Sequence, residues 1–249
     1  MKLLSPASAN SKLKKALQLV PEYRVFSMSL SPHDTAFKGI SVCPWSTEGC
    51  RDACIHWAGH GQRLRVQELR KARTLWFHSN RVDFLDQLFG ELHYQRRLAH
   101  RAGKTLAVRL NVFSDIPWEK EGIMREFDDV QFWDYTKSLS RARRSIEDRL
   151  WPPNYHLTFS ASENTQRIVM CQLLDSLANV AVPFRMDKQT PMPQEIRIDD
   201  NTYEMVDGDL HDWRWLDPAG VVVGLRAKGV RGRRDHTGFI RDPQLTAQL

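Results

Sequence analysis

Three of the chain's four cysteines stand between Cys43 and Cys54, in the stretch CPWSTEGCRDACIHWAGHG, and two histidines follow directly. Thiolates are soft, nucleophilic metal ligands, so a cluster of them points to metal or redox chemistry. Cys50 and Cys54 are four apart, and a helix starting near Thr47 would present both on one face. The segment from Ser31 to Pro44 can fold back to bring Cys43. Three thiolates without paired CxxC knuckles suit a 4Fe-4S cluster with one open iron. Zinc is the alternative, with His33, His56 or His60 as the fourth ligand. Cys171 lies within an apolar helical pattern and reads as a core residue.

A second group of residues could handle protons or a divalent ion. VDGDLHDWRWLD is the densest acidic segment, and Asp207, Asp209 and His211 in it are candidate acid–base groups. The same Asp and Gly residues also build turns. Asp115 and Glu163 are further acid or base candidates, and Lys137 and Lys228 could orient an anionic substrate. Asn111, Ser114 and Asp115, in NVFSD, are expected to line a ligand pocket. Trp118, Trp133, Trp151, Trp213 and Trp215 offer flat faces for bases, or pack in the core.

These residues gain meaning from the elements that carry them. β-type runs at Tyr23 to Leu30, Thr105 to Phe113, Val130 to Tyr135, Tyr155 to Ser160, Asn179 to Arg185, Tyr203 to Val206 and Gly220 to Leu225 alternate with helical patterns. The clearest helices are Val66 to His78, Val82 to Arg101 and Glu163 to Ser176, with a basic helix after Tyr135. Such alternation predicts an α/β fold with a parallel sheet, a complete or partial (β/α) barrel, and a cysteine-rich loop after the first strand. Parallel sheets place their sites at the carboxyl ends of strands, and the candidate residues fall there. One domain over residues 1–249 is expected, with residues 1–20 as an N-terminal extension.

The formal net charge is +6, and no run is apolar enough to span a bilayer. A cytoplasmic protein without disulfides is expected, with no membrane partner. Basic clusters occur at Arg63 to Arg73, Arg96 to Lys104, Arg141 to Arg144 and Arg226 to Arg234. They suit a nucleic acid or nucleotide, and AKGVRGRRDHTG reads as a loop able to hold phosphate. Oligomeric state leaves no mark in the sequence.

The order of first strand, three-cysteine loop, helix and a second strand with polar residues at its end resembles the start of radical SAM enzymes. Here the spacing is C-x6-C-x3-C, where that superfamily usually has C-x3-C-x2-C. The resemblance implies a cluster on Cys43, Cys50 and Cys54, with S-adenosylmethionine bound near Asn111 to Asp115. The phrases CPWSTEGCRDAC, VRLNVFSDIPWE, QFWDYTK, YHLTFSASE and VDGDLHDWRWLDPAGVVVGLRAKG resemble an uncharacterised family of bacteriophage and prophage proteins. Together these features predict an iron-sulfur enzyme modifying a nucleic-acid base or nucleotide. The alternatives are a barrel hydrolase or transglycosylase acting on DNA with a structural zinc, and a non-enzymatic nucleic-acid-binding protein.

Overall fold

The structure is a computed structural model and describes residues 1–9 and 11–242. Among these residues nine strands are hydrogen-bonded in the order β1-β2-β3-β4-β5-β6-β9-β8-β7. They are β1 (Leu4–Pro6), β2 (Tyr23–Met28), β3 (Thr105–Arg109), β4 (Gln131–Thr136), β5 (Tyr155–Ser160), β6 (Val180–Phe184), β7 (Glu195–Ile198), β8 (Asn201–Asp207) and β9 (Val222–Arg226). The helices are α1 (Ser11–Ala16), α2 (Glu48–Asp52), α3 (Leu64–Ser79), α4 (Arg81–Arg101), α5 (Ile123–Glu126), α6 (Leu139–Glu147), α7 (Arg167–Asp175) and α8 (Gly229–Arg233). The sheet is mostly parallel, with antiparallel pairs at β1–β2 and β7–β8. The expected mixed α/β class is present.

The residues group into two compact units. The first comprises Met1–Pro44, Gln62–Asp134 and Trp151–His156. Here β2 and β3 pair in parallel, Tyr23 opposite Thr105 and Ser27 opposite Arg109. Leu106, Ala107 and Val108 are all buried, the continuous apolar pattern of a strand covered on both faces. The start of α4 is fixed by Asn80, whose side chain accepts the Asp83 N–H. Phe84, Leu88, Leu92 and Ala99 form its buried stripe. The chain leaves the helix through Gly103 at φ 63, a left-handed conformation that L side chains resist. Residues 1–20, expected as an extension, supply β1 and bury Leu3, Leu4, Leu13 and Val20. The Glu91 carboxylate accepts the N–H groups of Leu3 and Leu4, both at 2.8 Å.

The second unit comprises Trp45–Gly61, Tyr135–Leu150 and Leu157–Leu249, described to residue 242. Here β6 pairs with β9 and β9 with β8, all in parallel. Strand alternation separates two faces. Val180, Val182, Phe184 and Val222 pack with α7 residues Met170, Cys171, Leu173 and Leu174 and with Ile196 and Ile198 of β7. Ala181, Val221 and Val223 face the other way, beside Val206 and Leu225. Cys171 is buried, in keeping with its expected core role.

The expectation of a single cysteine-rich loop after the first strand needs correction. A short strand precedes β2, and the cysteines sit in different local settings: Cys43 in irregular chain, Cys50 inside α2, and Cys54 at the start of the turn Ile55–Trp57. Thr47 does cap α2, its side chain accepting the Cys50 N–H at 3.4 Å. The expected strand to Phe113 stops at Arg109, because the chain turns at Asn111. The glycine-rich AKGVRGRRDHTG folds partly as α8 rather than as an open loop.

Candidate functional site

In the first unit, the segment after β3 is built on Asn111, which is buried. Its Oδ1 accepts from Ser114 Oγ at 2.7 Å, from the Ile116 N–H at 3.0 Å and from Trp118 Nε1 at 3.0 Å. Its Nδ2 donates to the Ile116 carbonyl at 2.9 Å and to Asp134 Oδ2 at 3.3 Å, while its backbone N–H donates to Asp134 Oδ1 at 2.7 Å. Tyr155 Oη also donates to Asp134, at 3.1 Å. The side chains of Asn111 and Ser114 therefore shape the loop that they were expected to offer to a ligand.

That loop lies against Cys43. The Asp115 N–H donates to the Val42 carbonyl at 2.8 Å, and the Cys43 thiol donates to the Phe113 carbonyl at 3.4 Å. The His33 N–H donates to Cys43 Sγ at 3.4 Å, the kind of contact that a thiolate ligand accepts. The Arg70 guanidinium lies 4.1 Å from the centre of the Phe113 ring. Cys43 and Asp115, assigned separately from sequence, are thus joined by backbone in one unit.

In the second unit, Glu163 fastens α2. Its Oε1 accepts the Gly49 N–H at 2.8 Å and its Oε2 accepts the Thr47 hydroxyl at 2.7 Å, both charge-assisted bonds. Lys137 Nζ donates to Ser160 Oγ at 2.9 Å and lies 4.6 Å from the Phe239 ring centre. The turn carrying Phe239 is closed by Asp235, which accepts from Thr237 Oγ1 at 2.7 Å and the Ile240 N–H at 2.9 Å. Burial alone would raise the Asp235 pKa, but these bonds outweigh it and hold the carboxyl below its usual range. Lys137 and Glu163 therefore brace neighbouring parts of the same scaffold.

The acidic segment splits into two clusters. Arg226 Nη1 donates to both oxygens of Asp207, at 2.8 and 2.9 Å, and the Arg226 N–H donates to Asp209 Oδ2 at 2.9 Å. Lys228 Nζ lies 2.7 Å from Asp209 Oδ1. Hydrogen bonding to Asp207, ahead of the opposing effect of burial, raises the Arg226 pKa. His211 is turned elsewhere: its Nδ1 accepts the Trp213 N–H at 3.2 Å, and its Nε2 lies 3.9 Å from Asp217.

Asp217 pairs with the fully buried Arg214 at 3.1 Å. Burial pushes the Asp217 carboxyl up from 3.8 to about 6, against the pull of Arg214 and with a further push from Asp212. The folded state binds this proton more tightly than the unfolded chain. Its stabilising effect is therefore complete below pH 4 and lost as the pH rises through 6, by up to about 3 kcal/mol. Asp217→Asn should flatten the urea-unfolding stability profile across that window.

Sequence reasoning missed Arg226, Arg214, Asp217 and Asp235, which decide what the acidic and basic segments do. An Asp–x–Asp at the end of one strand and an Arg–x–Lys at the end of the next was the available signal for the first of these. Among the described residues, no three His, Cys, Asp or Glu side chains are gathered as a metal site. The His60 side chain lies outside the described residues. All four cysteines are thiols, and thiolates have the softness that iron-sulfur clusters take.

These features define an α/β protein with a mostly parallel nine-stranded sheet. The family described as Gene product 88 matches residues 2–243, and the chain belongs to that family. This agrees with the expected phage protein family. No curated protein and no solved structure matches the chain. No helix among the described residues is long and apolar enough to cross a membrane.

Proposed function

We propose that the protein is a barrel-like iron-sulfur enzyme that modifies a nucleic-acid base or nucleotide. The observation that carries this reading is the strand order. From β2 through β3, β4, β5 and β6 to β9, neighbours follow chain order without reversal. That order belongs to singly wound, barrel-type sheets, whereas doubly wound sheets reverse at a switch point. The cysteines follow the first strand of this run, where a radical SAM-like enzyme would carry its cluster.

The state of the carboxylates adds support. Asp207 is neutralised by Arg226, Asp209 by Lys228, and both oxygens of Glu163 are engaged by α2. A hydrolase reading needs an available acid and base, and these pairings leave it weaker than thiol-based chemistry. Cys43, Cys50 and Cys54 would hold the cluster. Bound there, it would supply an open iron and a one-electron couple, with S-adenosylmethionine as the expected co-substrate. The +6 charge supports an anionic substrate.

Anaerobic purification followed by iron, acid-labile sulfide and zinc analysis tests the reading. About four irons and four sulfides per chain are expected. Cys43→Ser, Cys50→Ser and Cys54→Ser should each lose most of the iron while keeping the far-UV circular dichroism of the parent. A colourless, iron-free protein holding one zinc per chain would overturn it.

A further inference from the structure

The structure divides the basic segment from Arg226 to Arg234 into two functional halves. Arg226 and Lys228 are consumed by Asp207 and Asp209. Arg231, Arg233 and Arg234 are exposed, and among the described residues none of them has a carboxylate partner. Asp235, the nearest acid in sequence, turns inward to Thr237 and Ile240. The other basic clusters are partly spent. Arg73 donates to the Lys2 carbonyl, Arg96 and His100 share Asp129, Arg141 is buried, and Arg144 pairs with Asp148.

The three arginines stand on a fixed platform. Gly229, at φ 73, brings α8 so close to the Ile55–Trp57 turn that a Cβ there would lie 3.1 Å from the Ala58 Cβ. Arg185 donates to the carbonyls of Arg233 and Asp235, holding the far end of the helix. The Arg231 guanidinium lies 4.6 Å from the centre of the Trp57 ring. A planar cation on an aromatic face beside two more guanidinium groups fits phosphates and an unstacked base together. Trp57 is three residues beyond Cys54, so a strand held here lies beside the cysteine-bearing segment of this unit.

We propose that the outer face of α8, with Trp57 beneath Arg231, holds the phosphate backbone of a single-stranded nucleic acid. This rests on the proposed function only in taking nucleic acid as the partner. The test is fluorescence anisotropy of the full chain with a single-stranded oligonucleotide across a salt series. Arg231→Ala/Arg233→Ala/Arg234→Ala should weaken binding at least tenfold and reduce the slope of log K against log salt by about two. Trp57→Ala should weaken binding several-fold with the slope unchanged. A charge-matched control, Arg97→Ala/Arg101→Ala/Lys104→Ala, with two exposed residues at the end of α4 and one just beyond it, should change affinity less than threefold at unchanged melting temperature.

No binding by the parent, equal binding by the α8 triple variant, or equal loss in the control would overturn the assignment. Preference for a duplex would overturn its single-stranded form. Metal analysis of the same preparation separates the two ideas: arginine-dependent binding by iron-free protein leaves this surface standing while the cluster reading falls.

Discussion

Asn111→Asp is expected to cost about 3–5 kcal/mol of stability at pH 7, because it replaces a buried donor by a second carboxylate oxygen. The amide nitrogen it removes sits 3.3 Å from Asp134 Oδ2 and 2.9 Å from the Ile116 carbonyl. An oxygen placed there faces two acceptors. Two carboxylates at this distance cannot both ionise without large cost, so one takes a raised pKa. A raised folded pKa means that the penalty is smallest in acid and grows as the pH rises past the ordinary carboxylate value. Asn111→Ala removes the acceptor for Ser114, Ile116 and Trp118 and should cost about 3 kcal/mol, without that pH dependence. Urea unfolding at pH 5 and pH 7.5 distinguishes them. Parallel losses at both pH values would mean that the Asp134 contact does not govern the site.

Elements with a long apolar period were legible in the sequence. Helix α4 begins and ends within a residue of its expected limits, and β5 matches its expected limits at both ends. The missed strands are short edge pieces. β1 is three residues including a proline, and β7 buries only Ile196 and Ile198, so neither offers a pattern long enough to separate from loop. Thr47 was legible because a helix cap is local in sequence. Its bond to Glu163 spans 116 positions, and nothing in either neighbourhood announces it. The site suffered in the same way. Asp207 and Asp209 read as available carboxylates until Arg226 and Lys228 are placed beside them. NVFSD reads as a ligand loop because Asn and Ser carry the same groups whether they face a substrate or one another, and Trp118 and Asp134 decide between these. Basic residues near Arg231 were legible as a cluster, but their division between ion pairs and exposed surface depends on which side of α8 packs against Ala53 and Ala58.

Gly49→Ala brings two rules into opposition, and the packing decides which wins. In an exposed helix the change would stabilise by about 1 kcal/mol through backbone entropy. Gly49 sits in α2 where an added Cβ would collide with Thr237 Oγ1, approach Phe239 Cβ to 2.6 Å and lie 3.1 Å from Glu163 Cδ. Phe239 Cβ is rigidly attached to backbone, and that backbone is held by the Asp235 turn, so it has little room to withdraw. Glu163 cannot retreat without releasing the Gly49 N–H and the Thr47 hydroxyl. The expected net effect is a loss of about 2–4 kcal/mol, the range for overpacking a tight site combined with a lost charge-assisted bond. Because Glu163 is one of the three groups that the new methyl presses on, Glu163→Ala should already have removed part of this loss, and Gly49→Ala added to it should cost about 1 kcal/mol less than in the parent. A second readout follows from the same geometry: Cys50 lies in α2, so displacing that helix should raise the alkylation rate of Cys50 more than that of Cys171, which lies on the buried face of α7. Mass spectrometry of the alkylated peptides reads both rates from one sample. Additive stabilities with an unchanged ratio of the two rates would mean that Glu163 and the turn carrying Phe239 do not hold the cysteine-bearing helix.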